Sequence, residues 1–123
     1  MRHFLTLLTV LVATSAQAQE IDCADPMTPD ERNHCSYLDY READEELNDT
    51  FGWAMDTAKG LSDAAAQALQ AAQRAWGSYR DAACEAEAVL YEGKPLQPLI
   101  RNSCMEHLTR QRTEDMRGFY QEH

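Results

Sequence analysis

Basic residues are scarce in this chain of 123 residues. Lysine and arginine together number 11, against 21 aspartates and glutamates, so the formal charge is −10 at pH 7. This acidity disfavours binding to nucleic acid and to anionic membrane surfaces, because both carry charge of the same sign. It favours a cationic partner, or it serves solubility alone, and composition does not separate these two interpretations.

The sequence also lacks the spacings that metal sites and catalytic centres need. Structural zinc ligands are typically paired with about two to four residues between them, but neighbouring cysteines here are separated by 12, 49 and 20 positions. His34, His107 and His123 form no ligand pair, and no serine, cysteine or histidine is placed for a nucleophile–base pair. We therefore expect no metal or other cofactor and no enzymatic activity.

No apolar run is long enough to cross a membrane, which takes about 20 residues. The N-terminal run, residues 4–13, follows Arg2 and precedes the small-residue sequence Ala16-Gln17-Ala18. This order is typical of a cleaved secretory signal. We therefore predict a signal peptide over residues 1–18 and a single mature domain over residues 19–123.

The mature chain is predicted to begin at Gln19. Cleavage removes one arginine and leaves ten basic residues against 21 acids, a formal charge of −11. A lipoprotein would carry a cysteine directly after the cut, whereas the first cysteine is Cys23. We expect a periplasmic or secreted protein without a lipid anchor or a membrane span.

Four cysteines lie in the mature part of the chain: Cys23, Cys35, Cys84 and Cys104. Disulfides are the usual state of cysteines in an oxidising compartment, and four cysteines allow three pairings. We favour Cys23–Cys35 and Cys84–Cys104, because each pair joins segments that the helical pattern described next brings close.

Helical spacing dominates the mature chain, without strand-like alternation or an internal repeat. Thr28-Pro29-Asp30-Glu31 combines an N-cap, a proline at the first helical position and acids in the first turn. A first helix is predicted from there to about Lys59, with Gly60 ending it.

Two further helices follow. Ser62-Asp63 caps the second, which extends to about Tyr91, and the glycine and prolines of residues 92–98 break it. The third covers about residues 98–120. Short connections make consecutive helices antiparallel, so the expected fold is all-α: an antiparallel bundle of three long helices stapled by two disulfides. Six residues are expected on the inner side of the third helix: Ile100, Cys104, Leu108, Gln111, Met116 and Phe119.

One stripe of the second helix places Arg80 with Trp76 and apolar residues. A buried guanidinium needs a carboxylate, because an unpaired buried charge costs several kcal/mol. Asp44 lies on the inner stripe of the first helix, 16 residues before Gly60, whereas Arg80 lies 20 residues after it. The mismatch is about 6 Å along an antiparallel pair, so we predict an Asp44–Arg80 ion pair beside Trp76.

Three parts of the chain resemble the LprI-like lysozyme-inhibitor family. They comprise Cys23 with residues 28–35 and 40–48, then Gln73-Arg74-Ala75-Trp76 with Tyr79-Arg80-Asp81 and Cys84, and finally Cys104 with Leu108, Thr109, Arg110 and Arg112. The resemblance implies a small exported helical domain, generally with disulfides, that inhibits a lysozyme-type muramidase by binding it. A basic lysozyme-type protein would be the partner. The alternative is a periplasmic interaction or scaffolding domain with no lysozyme activity.

Two positions depart from the family pattern. Gly77 stands where relatives usually place a large apolar residue, and Phe51 where they often have tyrosine. Both lie near the expected core, so they bear on packing more than on function.

Five residues of the resembling segments are candidates for a shared site: Asp44, Asn48, Gln73, Trp76 and Arg80. One interpretation is an inner structural network, in which the polar groups satisfy each other around the tryptophan. The other is a groove whose polar groups bind a ligand.

Lys94 is the candidate for a partner contact. It is the only lysine or arginine between Arg80 and Arg101, and Gly93 and Pro95 flank it. A cation on a narrow loop could enter a lysozyme cleft, which carries two carboxylates. The alternative is an ordinary solvated turn.

Overall fold

The computed structural model describes residues 20–123, and the predicted signal peptide and its cleavage before Gln19 lie outside this range. It contains three α-helices: α1 (Pro29–Leu61), α2 (Asp63–Ala88) and α3 (Gln97–Tyr120). A short 3-10 helix, Val89–Tyr91, follows α2. No residue of this range is in a strand, and the all-α prediction is confirmed.

The N-terminus of α1 lies at the predicted N-cap, and there it forms a capping box. The Thr28 hydroxyl accepts a hydrogen bond from the Glu31 amide at 3.1 Å, and the Glu31 carboxylate accepts one from the Thr28 amide at 3.3 Å. Pro29 occupies the first turn, where no intrahelical N–H is needed. Two otherwise unpaired amides are thereby satisfied, which fixes where α1 begins.

The junction between α1 and α2 corrects the prediction that Gly60 ends the first helix. The helix continues through Gly60 to Leu61, and the chain turns at Ser62, whose φ and ψ are −170° and 159°. The Ser62 hydroxyl then accepts a hydrogen bond from the Ala65 amide at 3.0 Å, as an N-cap. An extended serine breaks the helix here without any left-handed residue, so the glycine is not required.

The second connection both begins and ends earlier than predicted. The α-helical part of α2 stops at Ala88 rather than Tyr91, because the last three residues tighten into the 3-10 helix. Gly93 has φ of +75°, which glycine adopts without a steric penalty. α3 begins at Gln97, one residue earlier than predicted, and Pro98 fits there because the first amides of a helix have no partner within it.

The helices alternate in direction. Ion pairs and hydrogen bonds join Asn33 to the start of α3 and Glu46 to its later part, so α1 and α3 run the same way. Cys84 is bonded to Cys104, and α2 therefore runs opposite to α3. The second disulfide joins Cys23 to Cys35. Both predicted disulfides are confirmed, and no cysteine of the described chain is free.

Small residues let the three helices approach closely. The core consists of Leu47, Ala54, Ala58, Ala66, Leu69 and Met116. On α3 the prediction was wrong for Gln111 and Phe119, which are exposed. Cys104 and Met116 are buried as predicted, and Thr109 and Thr113, which were not predicted, are buried with Met116 at steps of four and three. The Thr113 hydroxyl donates to the Thr109 carbonyl at 3.0 Å, so this threonine is satisfied within its own helix and can line an apolar interface.

Candidate functional site

Arg80 joins all three helices. Its Nη1 donates to Asp44 Oδ1 on α1 at 3.3 Å and to Thr109 Oγ1 on α3 at 3.2 Å. Its Nε donates to Asp81 Oδ1 at 3.0 Å. The Arg80 side chain is 12% exposed and that of Asp44 32%, so water screens this ion pair only in part.

Two aromatic rings enclose the same guanidinium. Its central carbon lies 5.0 Å from the Trp76 ring centre and 5.5 Å from that of Tyr40, within the range of cation–π attraction. Burial raises the pKa of the Tyr40 hydroxyl above its ordinary value of 10.0, and the positive charge of Arg80 opposes that shift. The rings and the carboxylate together hold the arginine in one position.

The remaining members of the predicted network divide into two cases. Gln73 Oε1 accepts a hydrogen bond from Arg112 Nε at 3.1 Å. This bond links α2 to α3 about two helical turns before Arg80 along α2. Asn48 is exposed, and it takes part neither in the contacts of Arg80 nor in the hydrogen bond between Gln73 and Arg112. It follows the fully buried Leu47, and one residue turns a helix by about 100°, which carries its side chain off the inner face.

Thr109 and Arg112 complete this network, and the sequence patterns did not predict their roles. Thr109 is fully buried, and a buried hydroxyl needs a partner, which Arg80 supplies. The signal that could have located it is the spacing of Thr109, Thr113 and Met116 along one stripe of α3.

A second polar cluster, which sequence reasoning missed, fastens the start of α3 to α1. Asn33 Oδ1 accepts a hydrogen bond from the Leu99 amide at 3.0 Å, and its Nδ2 donates to the Pro95 carbonyl at 2.8 Å. Leu96, the N-cap residue of α3, offers no side-chain acceptor. Asn33 therefore caps α3 from another helix, a pairing that no local pattern reveals.

Asn102 and Ser36 close this cluster. Asn102 Nδ2 donates to Ser36 Oγ at 3.1 Å and to the Asn33 carbonyl at 3.3 Å. Ser36 Oγ itself donates to the Asn33 carbonyl at 2.8 Å. The connection between α2 and α3 is thereby held against α1 by side chains from both helices.

Most arginines of α3 are paired with acids. Arg101 binds Glu85 at 2.9 Å, Arg110 binds Glu106 at 3.0 Å, and Arg117 binds Glu46 at 2.9 Å. The hydrogen bond from Arg101 lowers the pKa of Glu85. Six of the ten lysines and arginines in residues 20–123 form no ion pair there.

Lys94 is one of these six. It is exposed in the connection between α2 and α3, and its Nζ lies 5.5 Å from the Tyr91 ring centre. Among residues 20–123 no carboxylate lies within ion-pair distance of it, since none of the ion pairs there includes Lys94.

The described range, residues 20–123, contains no group of three or more histidine, cysteine, aspartate or glutamate side chains placed to hold a metal ion. Every helix in that range is too short or too polar to cross a membrane. The side chains gathered at Arg80 contact one another and join the three helices.

Comparison with known proteins gives one family and one relative. The family model described as "Lysozyme inhibitor LprI" matches residues 23–116. An uncharacterized protein of Rhizobium meliloti (strain 1021) is 36% identical over 121 residues, a match that covers 90% of this chain and 87% of the relative. No solved structure matches the chain. The family match includes both disulfides, the Arg80 network and the Asn33 cluster, and the chain therefore belongs to the LprI lysozyme-inhibitor family.

Proposed function

We propose that this protein is exported to the periplasm or secreted, and that it inhibits a lysozyme-type muramidase by binding it. The observation that carries the proposal is the family match over residues 23–116, which spans the whole helical bundle except its last turn. The protein acts by binding rather than by catalysis. In support, all four cysteines are consumed in disulfides and the inner polar groups satisfy each other.

The surface charge supports a basic partner. The chain carries a formal charge of −10, and the exposed side of α1 presents a series of acids: Glu42, Glu45, Asp49 and Asp56. Many lysozymes of animal secretions are strongly basic. Opposite fields accelerate the encounter of two proteins and orient them, an effect that weakens as salt is added.

The bundle also suits an oxidising compartment. Its two disulfides close loops of 12 and 20 residues in sequence separation. In the chain-entropy model each such crosslink contributes about 3 kcal/mol, a large share of the roughly 5–15 kcal/mol that stabilises a typical domain. A reducing cytosol would remove that contribution.

A lysis assay tests the proposal. The mature protein, residues 19–123, is titrated into a suspension of peptidoglycan-bearing cells with a basic lysozyme, and the loss of turbidity is followed. An acidic protein of equal net charge is the control, because any polyanion binds a basic enzyme weakly at low salt. Calorimetry of the two purified proteins measures binding directly.

Inhibition by this protein at physiological ionic strength, without inhibition by the control, is the expected result. If neither inhibition nor heat of binding is observed, the proposal is wrong. The alternative is then an interaction or scaffolding domain of the cell envelope with a different partner.

A further inference from the structure

One end of the bundle exposes an apolar surface. The segment before α1, the 3-10 helix and the connection to α3 meet there, and we call the exposed residues Met27, Val89, Leu90, Tyr91, Lys94 and Pro95 the tip. Leu90 is 75% exposed and Met27 73%. Beside them lies a hollow of about 400 Å³ lined by Pro29, Tyr91, Lys94, Pro95, Leu96 and Ile100. Contiguous exposed apolar surface of this kind marks interaction sites on soluble proteins.

Two disulfides and several hydrogen bonds hold the tip in place, although it consists largely of loop residues. The Cys84–Cys104 disulfide joins the two helices below it, and Cys23–Cys35 fastens the preceding segment to α1. Asn33 binds the Pro95 carbonyl and the Leu99 amide. A surface that is already ordered loses less conformational entropy on binding, so more of its contact energy appears as affinity.

The charge of the tip differs from that of the rest of the surface. Lys94 is its one cation, and it has no carboxylate partner among the described residues, although Glu92 is close in sequence. Of the exposed acids of α1, Asp30 adjoins Pro29 at the hollow, and the others lie farther along the bundle. An apolar centre with one ammonium group is thus flanked by negative charge, which resembles the apolar core and polar rim of protein interfaces.

We infer that the tip is the surface that enters the substrate cleft of a basic muramidase, an inference that rests on the proposed function. The cleft of a glycoside hydrolase is concave and carries two carboxylates. The exposed apolar side chains of the tip suit such a groove, and Lys94 supplies the charge that complements the carboxylates. The acids of the bundle then face the basic surface around the cleft.

Matched substitutions at the two ends of the bundle test the inference. Lys94→Glu and Leu90→Asp alter the tip, whereas Lys59→Glu and Leu61→Asp make the same chemical changes at the opposite end. All four positions are exposed, so the variants should fold, and circular dichroism with thermal melting verifies this. The affinity of each variant for lysozyme is measured by calorimetry at physiological salt.

Each tip variant is expected to weaken binding about tenfold or more, as hot-spot residues do. The variants at the opposite end are expected to change the affinity by less than about threefold, because a distant surface charge acts mainly on the rate of encounter. The parent should also compete with a short oligosaccharide that occupies the lysozyme cleft.

Three results would overturn the inference. If the parent binds lysozyme and the tip variants bind equally well, the contact surface lies elsewhere while the proposed function stands. The same holds if the parent still binds when the oligosaccharide fills the cleft. If the parent does not bind lysozyme at all, the proposed function and this inference both fail.

Discussion

Arg80 on α2 and Asp44 on α1 lie 3.3 Å apart, between Arg80 Nη1 and Asp44 Oδ1, and the same nitrogen reaches Thr109 on α3. The Arg80 guanidinium thus bridges the three helices away from the ends of the bundle. Because its donors and charge are satisfied from three directions, the loss of one partner leaves the others unpaired in a partly buried site. We therefore expect these residues to contribute to stability.

We expect Arg80→Ala to lower the free energy of unfolding by about 3 kcal/mol, because it leaves Asp44 and the Thr109 hydroxyl without their partner. Asp44→Ala should cost less, about 1–2 kcal/mol, since a third of that side chain is exposed. Urea denaturation measures both, and Arg74→Ala at an exposed position of α2 is the control. The double variant should lose less than the sum of the single losses; strictly additive losses would show that the pair is not coupled.

The hydrogen bond by which Asn33 caps α3 leads to a separate prediction. Asn33→Ala should destabilise the protein by about 1–2 kcal/mol, as the loss of an N-cap does. Asn33→Asp should recover part of this, because a carboxylate still accepts from the Leu99 amide while its charge suits a helix N-terminus. Hydrogen exchange at the Leu99 amide reports the cap directly, and the exposed neighbour His34→Ala is the control. Unchanged protection of Leu99 in Asn33→Ala would contradict the assignment.

Removal of the disulfide between α2 and α3 should weaken the bundle. The Cys84→Ala, Cys104→Ala double variant is expected to lose about 3 kcal/mol from the crosslink. A further loss comes from packing, because Cys84 is fully buried and Cys104 nearly so. Thermal melting of the parent with and without reductant gives the combined contribution of both disulfides. A variant that melts at the temperature of the oxidised parent would show that the crosslink contributes nothing.

The raised pKa of Tyr40 predicts that the stability of the protein depends on pH in the alkaline range. Its pKa is raised in the folded protein, chiefly by burial, so the folded state disfavours the phenolate. The stabilisation is therefore complete below the ordinary pKa of about 10 and is lost as pH rises through the folded value. In urea denaturation at increasing pH, Tyr40→Phe should lose less stability above pH 10 than the parent does. Parallel curves for the two proteins would refute the shift.

The cleavage site also remains a prediction. The apolar run ending in Ala16-Gln17-Ala18 predicts that the exported chain begins at Gln19 and carries no lipid. N-terminal sequencing and the intact mass of the protein from its native compartment test this. An unprocessed chain recovered from the cytosol, or a lipid-modified one from membranes, would be inconsistent with it.

The sequence by itself determined the helices, the two disulfides and the family. These follow from local patterns: an N-cap at Thr28, a cap at Ser62, a glycine with two prolines in residues 92–98, and cysteines whose spacing matches neighbouring helix ends. The sequence also indicated that Asp44 and Arg80 should meet, because each is a charge on an apolar stripe and its burial requires a partner. Local rules were sufficient where the physical cause was local.

Only the tertiary structure decided which polar residues cross between helices. Asn48 and Thr109 are both polar residues of helical segments, yet one is exposed and the other is buried against Arg80. Asn33 caps a helix that begins more than 60 positions later, at Gln97, by accepting from the Leu99 amide. Such contacts depend on the rotation and offset of whole helices, which result from packing alanines and threonines across three interfaces at once. A one-residue step turns a side chain by about 100°, so small differences in packing decide which groups meet.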